Sequence, residues 1–210
     1  MKRRHAFALT AAVLAATTLT GCDRVRGWLG AGEAGGTAGG FHSVDITGVD
    51  YAQALSLPDV DGQPRSLAEF KGKVVVVFFG YVHCPDVCPT TLAELAEIKR
   101  QLGADGQRLQ AVFVTLDPAR DTAAMLKTYV QGFDPAFVAL RGTPQQVADA
   151  AKSFKVFYQQ VKGSTPDGYL VDHTAGSYVF DPQGRVRLFA RYGMPVPDLA
   201  ADIRKLLAGG

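Results

Sequence analysis

The chain has 210 residues, with 22 Lys and Arg against 20 Asp and Glu and 47% hydrophobic residues. That is apolar material enough for one domain with a real core, and it excludes a disordered or collagen-like chain. The positive excess sits at the extreme N-terminus: beyond residue 21 there are 19 basic and 20 acidic residues, so no basic surface calls for nucleic acid.

Lys2, Arg3 and Arg4 precede an alanine-rich apolar run from Ala6 to about Leu19. A basic start and a short apolar run predict a secretory signal rather than a membrane span, which needs about 20 apolar residues. The run ends in Leu19-Thr20-Gly21-Cys22. This resembles the bacterial lipoprotein box, and the resemblance implies that Cys22 becomes the lipidated first residue of a mature chain. The alternative is an ordinary signal with an incidental cysteine. Asp23 beside it resembles the signal that retains lipoproteins in the inner membrane of Gram-negative bacteria. Arg24 to Gly40 is glycine- and alanine-rich without periodicity and reads as a flexible tether. The expected division is a signal over 1–21, a lipidated tether over 22–45 and one folded domain over 46–210.

Gly48 to Pro64 reads as strand and turn, with Asp61-Gly62 as a hairpin signal, and Ser66 to Phe70 as a short turn. Val74 to Phe79 is an unbroken run of β-branched and aromatic residues. It predicts a strand buried on both faces, as at the centre of a mainly parallel sheet. Gly80 ends the run, and Cys84 and Cys88 follow where the chain leaves the sheet. In open sheets with crossover helices, ligands and chemistry collect at such strand ends. Pro85 and Pro89 disfavour a helix through the pair, so a tight turn with Pro89 as first helical residue is expected. Cys88 then lies beside a helix N-terminus, whose partial positive charge favours a thiolate.

A helix is expected over Thr90 to Leu102, a second buried strand over Leu109 to Leu116, and a helix over Thr122 to Val130 capped by Asp121 or Thr122. A short strand over Phe137 to Leu140 and a helix from Thr143-Pro144 to Phe154 follow, and then a strand over Val156 to Val161. Gly163 to Gly168 reads as a polar loop, with Asp172-His173 in a loop after it. Ser177 to Phe180 and Val186 to Ala190 flank Asp181-Pro182-Gln183-Gly184 as an antiparallel hairpin, and Pro197 to Leu207 forms a last helix. Strand–helix alternation closing on a hairpin and a helix predicts an α/β sandwich with a mixed central sheet and helices on both faces. The thioredoxin-like three-layer sandwich has this order of elements.

With Cys22 assigned to lipid, the folded part holds two cysteines. A disulfide across a loop of about five residues would stabilise the fold by only about 2 kcal/mol. That is weak for a staple, so a redox or metal-binding role is the better account of Cys84 and Cys88, and both remain open at this point.

Three separated blocks then resemble one family: GYVHCPDVCPTTL (Gly80 to Leu92), FVTLDPARDT (Phe113 to Thr122) and VDHTAGSYVFDPQGR (Val171 to Arg185). They are similar to the Sco (SenC) proteins, membrane-tethered copper proteins of cytochrome c oxidase assembly with a thioredoxin-like fold. Val82 departs from the threonine that many relatives carry. The resemblance implies that Cys84, Cys88 and His173 are copper ligands, and that Cys84 and Cys88 double as a redox dithiol. Two thiolates and an imidazole form a soft set suited to Cu(I) and able to hold Cu(II), whereas a structural zinc site takes four protein ligands. The implied protein is a copper chaperone on the bacterial inner membrane, lipid-anchored and facing the periplasm. It would deliver copper to the copper-binding subunit of the oxidase, or reduce that subunit's cysteines, and exchange with other copper chaperones or thiol reductants.

A periplasmic thiol–disulfide oxidoreductase or peroxidase-like protein without a physiological metal is the alternative from another class, and a bare binding module for oxidase subunits is a third. Asp86 and Asp117 are expected to hydrogen-bond or tune the site. His83 should point away from the ligands, since adjacent side chains diverge. Tyr81 is expected in the core or the site wall. Arg120 and Asp121 read as a solvated surface pair.

Overall fold

The computed structural model describes residues 40–163 and 168–210. The expected signal, Cys22, the tether up to residue 39 and the interior of the 163–168 loop lie outside the described residues. In chain order the strands and helices are β1 (Val44–Asp45), β2 (Ser56–Pro58), β3 (Pro64–Ser66), β4 (Val74–Gly80), α1 (Val87–Gln101), β5 (Leu109–Thr115), α2 (Ala123–Gln131) and β6 (Val138–Leu140). They continue with α3 (Pro144–Ser153), β7 (Tyr158–Lys162), β8 (Tyr169–His173), β9 (Gly176–Phe180), β10 (Val186–Arg191) and α4 (Val196–Leu207).

The central sheet has the order β1-β10-β9-β4-β5-β6. β4 and β5 are buried at every position, which is why both read as continuous apolar runs rather than alternating ones. The neighbourhood of β4 is mixed rather than mainly parallel: it pairs in parallel with β5 and antiparallel with β9. β10 turns back from β9 through Asp181 to Gly184 and so runs in the same direction as β4. Phe79 packs with Phe154 at the end of α3, while Gly80 and Phe78 face the start of α1. Helices therefore cover both faces, and the architecture is the thioredoxin-like α/β sandwich.

Local signals explain most element ends. Thr143 caps α3 through its side chain and Gln146 reciprocates, with Pro144 in the first helical position. Thr122, rather than Asp121, caps α2, accepting from the Met125 N–H. The Asp61-Gly62 turn joins β2 to β3, and Gly62 adopts φ 78°, a left-handed conformation that favours glycine. α1 starts at Val87, two residues before Pro89. Proline is tolerated there because the first four N–H groups of a helix have no intrahelical acceptor. The packed region also begins before residue 46: Phe41 and Ser43 are buried, and the buried Asp202 carboxylate accepts from the N–H groups of His42 and Ser43. Among the described residues, no helix is long and apolar enough to cross a membrane.

Candidate metal centre

β4 carries the chain through the core to Gly80, and the segment from Tyr81 to Asp86 turns it into α1. Cys84 sits in this turn, half-buried, with its N–H bonded to the Tyr81 carbonyl at 3.3 Å. Cys88 is the second residue of α1 and fully buried. Its N–H points back at the Cys84 sulfur, 3.4 Å away. The helix N-terminus thus solvates the sulfur of Cys84, four residues upstream.

His173 comes from the other end of the chain. It is the last residue of β8, which pairs with β7 in a two-stranded ribbon, so it stands on a strand and not in the expected loop. Its Nε2 lies 3.7 Å from Cys88 Sγ, and its Nδ1 lies 3.1 Å from the Thr174 carbonyl. A carbonyl only accepts, so Nδ1 donates to Thr174, and Nε2 is the ring nitrogen turned toward the sulfurs. Phe78 and Tyr81 meet the imidazole edge-on at centroid distances of 6.0 and 6.1 Å, which makes the buried Tyr81 a wall of the site. The donor atoms of Cys84, Cys88 and His173 all lie within 4.8 Å of one another. Two soft sulfurs and one imidazole at such separations fit a thiophilic cation such as Cu(I).

The two sulfurs differ sharply. The Cys88 thiol donates to Cys84, and His173 and the N–H groups of Asp86 and Cys88 add to it, which outweighs burial and holds the Cys84 thiol down at about 4. The Cys88 thiol is pushed far up, first because its proton is committed to Cys84 and then by burial. The reduced pair therefore shares one proton, with the charge on Cys84. This reverses the expectation that Cys88 is the thiolate, because the N–H groups of the first helical turn aim at the earlier cysteine.

Of the other candidates, Asp86 reaches Cys84 through its backbone, while its exposed carboxylate accepts from Thr90 at 3.3 Å and Tyr192 at 3.4 Å. Asp117 is buried and touches neither sulfur; it accepts from the Tyr169 hydroxyl at 2.8 Å and pairs with Arg120. Arg120 and Asp121 are not a solvated pair. Asp121 is fully buried, accepting from Thr115 Oγ1 at 2.6 Å and from the Val82 N–H at 3.1 Å, so it holds the turn that carries Cys84. Burial raises the Asp121 carboxyl. His83 turns away from the ligands toward Asp121, 3.6 Å distant. Sequence reasoning gave Tyr169 no role and Arg120 and Asp121 no part in the site, although the latter two fall inside the FVTLDPARDT block.

Residues 45–208 match the family model described as SCO1/SenC. A curated relative, the mitochondrial SCO2 homologue of Mus musculus, is 41% identical over 156 residues, covering 73% of this chain and 61% of its own length. This chain thus spans about three-fifths of that relative. Among solved structures, Bradyrhizobium japonicum ScoI with copper bound is 37% identical with a TM-score of 0.65, covering 73% of this chain and 97% of that one. Yeast Sco1 with copper bound is 31% identical with a TM-score of 0.67, covering 75% and 88%.

Proposed function

This chain belongs to the SCO1/SenC family, and on that premise we propose that it is a copper chaperone for cytochrome c oxidase assembly. In this reading Cys84, Cys88 and His173 hold one copper ion, chiefly Cu(I), as cargo. The protein is anchored to the bacterial inner membrane through Cys22, faces the periplasm, and delivers copper to the copper-binding subunit of the oxidase. The single observation that carries the reading is the convergence of two sulfurs and the imidazole of His173, 85 residues after Cys88 in sequence, with their donor atoms within 4.8 Å. Relatives whose structures contain copper share the fold at 31–37% identity, which supports the same cargo here.

The depressed Cys84 thiol favours a second, compatible activity. A Cys84 thiolate attacks one sulfur of a disulfide in the partner subunit, forming a mixed disulfide and expelling the other partner sulfur as a thiolate. Cys88 then passes its proton to that expelled thiolate and attacks the Cys84 sulfur, breaking the mixed disulfide and releasing the second partner sulfur as a thiolate. The products are a Cys84–Cys88 disulfide and a reduced partner dithiol, and the oxidised pair no longer offers thiolates to copper.

The test is Cu(I) titration of the reduced chain against a chromophoric Cu(I) chelator, with X-ray absorption to count neighbours. One equivalent of Cu(I) with two sulfur and one nitrogen neighbour is expected. Cys84→Ser abolishes tight binding, and His173→Ala weakens it while leaving thiol–disulfide exchange intact. Indifference of Cu(I) binding to His173→Ala would leave the redox activity as the better account.

A further inference from the structure

The imidazole stands on a ribbon that forms a sheet of its own among the described residues, outside the hydrogen bonding of the central sheet. Something must hold that ribbon against the cysteine-bearing end of β4. Along β8, Tyr169, Val171 and His173 alternate onto the same inward face, with Leu170 and Asp172 exposed between them. Val171 is buried in the core, and its backbone bonds to the Tyr81 hydroxyl. Tyr169, four residues from the imidazole, meets the turn that follows β5.

There the contacts close a ring. Arg120 donates from Nη1 to the Tyr169 carbonyl at 2.8 Å, and its guanidinium carbon lies 3.5 Å from the Tyr169 ring centroid. The Tyr169 hydroxyl donates to Asp117 Oδ1 at 2.8 Å, and the other Asp117 oxygen pairs with Arg120 Nε. Four residues after Asp117 in the same turn, Asp121 holds the Val82 N–H and so the segment leading to Cys84. One short turn thus grips both arms of the ligand set: the cysteine arm through Asp121 and the histidine arm through Asp117 and Arg120.

We propose that Asp117, Arg120 and Tyr169 form a latch that positions the His173 imidazole over the cysteine pair. The latch sets how firmly the third donor is held and so how readily the cargo leaves. They are positioning residues: none of them touches the sulfurs or the imidazole donor atom in the contacts above. The inference rests on reading His173 as a ligand. Residues that orient metal ligands commonly change affinity by about 10–100-fold when removed.

The experiment pairs Arg120→Ala with His173→Ala in the reduced full chain, using Cu(I) competition against a chromophoric chelator and amide hydrogen exchange of the metal-free protein. Arg120→Ala should weaken Cu(I) binding about tenfold in the wild-type background. It should add nothing once His173 is already alanine, because its effect passes through the imidazole. In the metal-free protein the amides of Tyr169 to His173 should exchange faster, with those of β4 and β5 unchanged. Should Arg120→Ala fail to fold, Tyr169→Phe, which deletes one hydroxyl, carries the same comparison. An equal loss in both backgrounds, or unaltered affinity and exchange, overturns the latch. Unaltered affinity in His173→Ala alone overturns the ligand reading instead, so the two failures are distinct.

Discussion

Replacing Gly80 by alanine tests whether the packing under the cysteines sets their position. Gly80 ends β4 with the sulfur of Cys88 directly above it. A Cβ added there would lie 2.8 Å from Cys88 Sγ, 2.9 Å from Phe78 Cε1 and 3.0 Å from Phe113 Cε2. Non-bonded carbon atoms attract at about 3.5–4.0 Å, so each of these contacts is roughly half an ångström or more too short. Phe78 and Phe113 are themselves fully buried and in contact, so neither ring can retreat freely. Overpacking of this kind costs about 1–3 kcal/mol, and a domain of this size loses about 2–4 °C of Tm per kcal/mol. A Tm lowered by about 2–12 °C is therefore expected for the reduced, metal-free protein. The sulfur can escape by rotating away, but it then leaves the 3.7 Å approach to His173 Nε2. Relief of strain thus comes at the expense of the donor set, and Cu(I) affinity should fall by about tenfold or more. Thermal melts by circular dichroism and chelator competition measure the two quantities. A Gly80→Ala protein with wild-type Tm and wild-type Cu(I) affinity would refute the reasoning, since one of the two must give.

Alkylation of the reduced, metal-free chain with iodoacetamide should modify Cys84 with a half-maximum near pH 4 and leave Cys88 untouched, as read by peptide mass mapping. Equal labelling of both, or a Cys84 rate that rises only around pH 8.5, contradicts the shared-proton picture. Asp181 supplies a stability test far from the metal centre. Its buried carboxylate accepts from the N–H groups of Gln183 and Arg185 and from the Arg185 guanidinium at 2.8–3.0 Å. Burial alone would raise its carboxyl, but these bonds outweigh it and hold the group below the usual range. A depressed carboxyl stabilises the fold fully above the unfolded value of about 3.9, and that contribution disappears as pH falls through the lower folded value. Asp181→Asn should therefore cost about 1.5–3 kcal/mol near neutrality, with the gap to wild type closing below about pH 4. Melts across that range showing a pH-independent gap would count against it.

Strand β4 was legible because a strand buried on both faces has to be apolar throughout, and Val74 to Phe79 is. The starts of α2 and α3 were legible, at Asp121 or Thr122 and at Thr143-Pro144, because capping is a contact within four residues, and the structure chose Thr122 for α2. The ribbon was half-legible: β7 was expected within two residues, but β8 was read as loop. Its side chains alternate between solvent and a partly polar site, so no apolar period marks it. Arg120 and Asp121 looked like surface charges for a related reason. A polar residue buried against another strand end carries the same letters as one in water.

The local sequence by itself placed two thiols at the exit of a buried strand, in the turn that leads into a helix, because an unbroken apolar run followed by Gly80 and two prolines marks that exit. His173 is different. It lies 85 residues from Cys88, and the three sequence blocks implied its place among the donors without any local rule bringing it there. Only the tertiary structure decided the convergence, and with it which sulfur holds the charge. Both depend on how β8 is braced beside β4 and on where the N–H groups of α1 point, and those are directions in space that one-dimensional order does not encode.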